Sequence, residues 1–163
     1  MMAQALACKY PSIFRGVVNI VGMQQKDLSC IPKEPVNFII YGSVKDTVVP
    51  PINIRASDGY FYEPMEDTFN AWSKQFECKT FKQSDFNLYD DFEKNVASGC
   101  KNDVRVISLL NKDAGHFWPG IDRNVGFCYS PPQSDLDYSK CDFSIANDWG
   151  NDFLINLLFG LKD

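Results

Sequence analysis

The chain's single histidine, His116, lies in the stretch Asn111-Lys112-Asp113-Ala114-Gly115-His116-Phe117-Trp118-Pro119-Gly120, directly after the apolar run Val104 to Leu110. Asp46 lies in the turn Gly42-Ser43-Val44-Lys45-Asp46-Thr47, directly after a second apolar run, Val36 to Tyr41. A carboxylate that accepts the imidazole Nδ1–H fixes the ring's tautomer and leaves the other nitrogen free to take a proton from a hydroxyl nucleophile. Taken singly, a histidine in a glycine-flanked loop reads as a surface residue, and Asp46 reads as a turn residue that bonds its own backbone. Whether the two meet depends on the strands before them.

Both runs, and a shorter one from Gly16 to Val21, are nearly continuous in hydrophobicity, as expected of parallel strands covered on both faces. Parallel neighbours lie about 4.8 Å apart with their C-terminal ends on one side. If the runs holding Val36–Tyr41 and Val104–Leu110 are neighbours joined by a right-handed crossover, Asp46 and His116 fall at the same edge, where open α/β sheets bind ligands. Helices are predicted over Met1 to Lys9, stopped at Tyr10-Pro11, and over Glu66 to Phe76. A last helix is predicted from Ile145 to Phe159, with Ile145, Trp149, Phe153 and Leu157 on one stripe, Ser144 as its cap and Gly160 as its stop. Trp72 and Trp149 read as core residues on helix stripes. Residues 79–99 are polar and aromatic with no clear period and read as an insertion; residues 119–143, with Pro131-Pro132, read as a long loop.

At 163 residues the chain suits one domain, and 45% apolar with 23% charged residues suits a globular core. A net charge of −5 with singly scattered basic residues argues against a nucleic-acid or anionic-membrane surface. No apolar stretch approaches a membrane span. Six cysteines (Cys8, Cys30, Cys78, Cys100, Cys128, Cys141) contain no Cys-x-x-Cys and are joined by a single histidine, so neither a metal site nor another cofactor is expected. They read either as three disulfides formed in an oxidising compartment or as six buried thiols in a reducing one. Local pairing would join Cys8 to Cys30, Cys78 to Cys100, and Cys128 to Cys141.

The words around the two polar residues resemble a known family. Gly42-x-x-x-Asp46-x-Val48-Val49-Pro50, then Gly115-His116-x-Trp118-Pro119-Gly120, are similar to motifs of the secreted esterases that include polyhydroxybutyrate depolymerases and feruloyl-esterase-like enzymes. Ala5-Leu6-Ala7-Cys8-Lys9-Tyr10-Pro11-x-x-Phe14 resembles that family's helix after the nucleophile elbow. Trp72 with Cys78 and Gly99-Cys100 resembles its paired cysteines, and Asn147-Asp148-Trp149…Phe153 its last helix. Tyr41 stands where the family has histidine, and Asp113-Ala114 where it has glycines.

The resemblance implies a partial α/β-hydrolase fold, the last three parallel strands with flanking helices, covering the part of the domain that follows the elbow. It implies a carboxylic-ester hydrolase with Asp46 as triad acid, His116 as triad base and Trp118 lining the substrate cleft, the serine and oxyanion donors lying upstream of Met1. The chain alone would then be inactive. The expected partner is an ester, polymeric in the family, with neither nucleic acid nor membrane, and the expected location is extracellular, with a signal peptide upstream. The alternative is a non-catalytic secreted relative or binding module on the same scaffold. The first strand, stripped of its outer neighbour, is expected to expose an edge through which the chain self-associates, leaving residues 1–22 the least stable.

Overall fold

The protein's structure, a computed structural model, describes residues 1–88, 90–112, 114–118 and 148–160. Helix α1 covers Met2–Lys9, strands β1 and β2 cover Gly16–Ile20 and Asn37–Ser43, and helix α2 covers Met65–Gln75. Strands β3 and β4 cover Thr80–Leu88 and Asp90–Ser98, strand β5 covers Val106–Asn111, and helix α3 covers Asp148–Phe159. The five strands form one mixed sheet in the order β1-β2-β5-β4-β3. The pairs β1–β2 and β2–β5 are parallel, whereas β3–β4 and β4–β5 are antiparallel.

The class is therefore α/β with a mixed sheet, and the three predicted parallel strands are its first half. Residues 79–99 are not an insertion: they form the β3–β4 hairpin, in register from Thr80 opposite Ser98 to Leu88 opposite Asp90. Lys, Gln, Asp, Asn and Glu fill much of this hairpin, so neither local propensity nor an apolar alternation announces it. What organises it is pairing with β5, from Phe92 opposite Asn111 to Ala97 opposite Val106. The hairpin covers the β5 edge that a three-stranded sheet would leave open, and β1 remains the terminal strand on the other side. Strand β1 ends one residue earlier than the apolar run predicts, because Val21 turns the chain at φ 39°, a value β-branched residues rarely adopt.

Alternation along the strands sends side chains to two cores. On one face Phe38, Ile40 and Val106 pack with Ala7 of α1 and with Phe69, Trp72 and the residue after α2, Phe76. Trp72 stacks on Phe38 with ring centroids 3.8 Å apart, as its predicted core role requires. On the other face Ile39, Tyr41, Ile107, Leu109 and Phe92 pack with Leu154, Leu157 and Leu158 of α3. Strand β2 is consequently buried from Phe38 to Ser43. The last helix begins at Asp148 and stops where Gly160 takes φ 65°, the left-handed turn predicted there. The predicted cap Ser144 and the loop over 119–143 lie outside the described residues, as do the positions of Cys128 and Cys141 and the side chain of Trp149. None of the described helices is long and apolar enough to cross a membrane.

Two disulfides are formed, Cys8–Cys30 and Cys78–Cys100, each spanning 22 positions in sequence. The first ties α1 to the segment after β1. The second closes the base of the β3–β4 hairpin, since its cysteines stand just before β3 and just after β4. All four of these cysteines are paired in the structure.

The segment between β2 and α2 is held by its own turn. Ala56 N–H donates to the Tyr60 carbonyl, and the Tyr62 hydroxyl donates to the Asp58 carboxylate. That bond, with burial adding to it, pushes the Tyr62 phenol up to about 12. Raising a phenol's pKa means the folded state favours the protonated form. Its contribution is full below the ordinary tyrosine pKa near 10 and is lost as pH rises through about 12. We expect an ultraviolet phenolate titration to contain a late-ionising tyrosine, and Asp58→Asn to lower the pKa of that component. A titration curve unchanged by Asp58→Asn would show that the Tyr62–Asp58 bond does not raise the phenol.

Candidate functional site

Strands β2 and β5 are adjacent and parallel, with Ser43 paired to Asn111 at their C-terminal ends. The turn after β2 and the loop after β5 therefore leave the sheet side by side. Val44 N–H donates to the Asn111 carbonyl at 2.9 Å, and Lys45 N–H donates to the Ala114 carbonyl at 3.2 Å. Backbone bonds thus stitch the two loops together before any side chain takes part.

Asp46 is 1% exposed. Its Oδ1 accepts from the Val48 and Val49 N–H groups, both at 2.8 Å, and its own N–H donates to the Ser43 carbonyl at 3.1 Å. These bonds make the side chain the centre of its own turn, as the Asp-x-Val-Val-Pro sequence favours. The second oxygen, Oδ2, lies 2.9 Å from His116 Nδ1. With its hydrogen on Nδ1 the ring donates to the carboxylate, which sets the tautomer and the ring's orientation. The imidazole is 38% exposed, and among the described residues nothing bonds its Nε2. A buried, engaged carboxylate thus holds a partly exposed imidazole whose remaining nitrogen has no partner among the described residues.

The structure brings Asp46 and His116 together as the strand pairing predicts. Trp118 stands two residues further along the same loop and is 46% exposed. Sequence reasoning missed the strut behind the pair. Asn111 Nδ2 donates to the Tyr41 hydroxyl at 3.2 Å, the Ser43 hydroxyl also donates to it at 3.4 Å, and Asn111 Oδ1 accepts from Ala114 N–H at 2.9 Å. Asn111 thereby fixes the start of the histidine loop from within the sheet, 0% exposed. Its only signal in the sequence is a polar residue closing an apolar run. Gly42 allows close packing nearby: a Cβ there would stand 2.7 Å from Met23 Cε and 3.0 Å from Pro51 Cβ.

No family model and no solved structure matches the chain. A curated relative does match: the chain is 24% identical over 136 residues to the pre-mRNA-splicing factor CWC26 of Candida albicans, across 79% of this chain and 46% of that protein. The chain spans about half the length of the curated relative it matches.

These findings correct the family reading. Membership of the polyhydroxybutyrate depolymerase and feruloyl-esterase-like group is unsupported by any family model, and the matching relative is named for splicing, not for ester hydrolysis. The serine esterase activity and the ester substrate are withdrawn with it. So is the exclusion of a nucleic-acid setting that charge alone suggested, and so is the self-association read from the edge of β1. The physical reason is that the motif words are short and made of turn formers. Glycine, aspartate, proline and a histidine after a strand build two linked loops at a sheet edge whatever those loops serve. The α/β architecture stands; a hydrolase fold in particular does not follow from it.

Proposed function

We propose that the Asp46–His116 pair is the centre of a ligand-binding site at the C-terminal edge of the parallel strands, in which Nε2 accepts a hydrogen from a ligand hydroxyl or amide. The observation that carries this reading is the 2.9 Å contact between His116 Nδ1 and the buried Asp46 carboxylate. A surface histidine has no need of a carboxylate that is itself fully enclosed and held by two backbone N–H groups. The edge of the sheet is also where α/β folds gather ligands. Trp118, exposed on the same loop, supplies an aromatic surface for the ligand's apolar part. The two disulfides support a chain that matures in an oxidising compartment, including the extracellular space.

The test uses the fact that this is the only histidine. Long-range proton–nitrogen correlation should show a protonated Nδ1 with a strongly downfield hydrogen and a pyridine-like Nε2. Titration with phenol should move the His116 Hε1 resonance saturably, and His116→Phe should abolish binding. A ring protonated on Nε2, or no saturable shift, would overturn the reading.

The likeness to a pre-mRNA-splicing factor favours a second reading, a part in an assembly that processes RNA. With a net charge of −5, such a part would rest on contacts to protein more than to phosphates. The two readings diverge on redox state, since nuclear thiols are kept reduced. Thiol alkylation of the protein as isolated from its cells separates them: blocked cysteines favour the first, and fully reactive ones the second.

A further inference from the structure

Helix α2 lies over β2 and β5, and its Phe69 meets Phe81 of β3 on the same face of the sheet. An apolar surface is expected next to a covering helix. Instead that face carries Gln83, Glu93, Asn95 and Ser108, and with Glu66 of α2 they line a cleft of about 310 Å³ whose apolar walls include Met65 and Leu110. The volume is at the small end of ligand sites. Neither Asp46 nor His116 lines it, so it is a separate place on the molecule.

Its polar groups are ordered. Asn95 Nδ2 donates to Glu93 Oε1 at 3.0 Å and to Ser108 Oγ at 3.3 Å. Ser108 is 3% exposed, and among the described residues its hydroxyl accepts this bond without an acceptor for its own hydrogen. A buried hydroxyl with an unspent donor is costly unless something in the cleft accepts from it. Two carboxylates line the cleft, and among the described residues no lysine or arginine does. The field there repels anions and favours a cation.

We infer that this cleft binds a small amine that also carries hydroxyl groups, an amino alcohol or amino sugar. Its ammonium lies between Glu66 and Glu93, and a ligand oxygen accepts from Ser108 while the Asn95 and Gln83 amides bond its other hydroxyls. The apolar walls take the carbon skeleton. The two requirements, positive charge and an oxygen acceptor, are separable by choice of probe.

The experiment is a chemical-shift titration of the whole chain with glucosamine, glucose and cyclohexylamine. Glucosamine should bind saturably, shifting the amides of Glu93, Asn95 and Ser108 and leaving the His116 ring resonances unmoved. Glucose, lacking the charge, and cyclohexylamine, lacking the hydroxyls, should each bind roughly tenfold more weakly. The pair of changes Glu66→Gln and Glu93→Gln keeps shape and hydrogen-bonding capacity, and should weaken glucosamine roughly tenfold while leaving glucose unchanged. Ser108→Ala should weaken both sugars alike. Equal affinity for glucose and glucosamine, an unchanged affinity in the double glutamine variant, or no saturable shift with glucosamine would each overturn the proposal.

Discussion

Asp46→Ala is expected to destabilise the protein by about 3 kcal/mol in urea unfolding, more than removal of its histidine partner. The alanine leaves the Val48 and Val49 N–H groups without the acceptor they share at 2.8 Å; the Val49 bond is buried, whereas Val48 is exposed and water can take part of its bond. Each orphaned buried donor costs about 1–3 kcal/mol. His116→Ala leaves those bonds intact but strips the buried Asp46 Oδ2 of its partner, a place that water can refill through the space of the half-exposed ring, so it should cost about 1 kcal/mol. Asp46→Asn is the informative intermediate. Its amide oxygen can keep the turn, whereas its NH₂ donates towards Nδ1 and forces the ring hydrogen onto Nε2. The Asn variant should therefore stay folded, lose about 1 kcal/mol, and fail to bind phenol at His116. Equal losses for Asp46→Ala and His116→Ala would show that Asp46 serves the histidine alone and does not build the turn.

Replacing Cys78 and Cys100 together by serine is expected to cost about 3 kcal/mol, the chain-entropy value for a loop of this span. The loss should be uneven. The bridge closes the β3–β4 hairpin, which would otherwise be held to the molecule mainly through β4 pairing with β5. Hydrogen exchange in the double serine variant should accelerate first at β3 and β4, while amides of β1 and β2 keep their protection. Removing the Cys8–Cys30 bridge should do the reverse, loosening α1 and leaving the hairpin intact. Uniform acceleration across the sheet in both variants would mean that each bridge stabilises the fold only as a whole. The hairpin also carries Gln83, Glu93 and Asn95, so loss of the Cys78–Cys100 bridge should weaken glucosamine and spare phenol.

Much of the parallel half of the sheet is legible in the chain. Val36–Tyr41 and Val104–Leu110 are apolar without alternation because strands buried on both faces have no outward side, and both became central strands within a residue or two of the expected bounds. The helix around Trp72 and the glycine stop at Gly160 follow from periodicity and from the left-handed turn that glycine tolerates. The pairing of Asp46 with His116 is legible too, because two parallel neighbours must present their following turns at one edge. The disulfides Cys8–Cys30 and Cys78–Cys100 form as local pairing predicts, although six cysteines by themselves allow many other connectivities.

Tertiary structure alone decided the rest. The hairpin over Thr80–Ser98 is polar on much of both faces, and it is strand because β5 offers it a ladder, a fact about a neighbour and not about its own residues. Asn111 and Tyr41 look like the polar end of one strand and the aromatic end of another, and only register places them 3.2 Å apart behind the histidine loop. The cleft at Ser108 follows from the same cause, since a polar residue within an apolar strand reads as an exception until the hairpin beside it supplies Asn95 and Glu93. Short motif words reported the turns and misreported the family. Local sequence determines how the chain bends at a strand end, whereas the groups that converge there depend on which strands are neighbours.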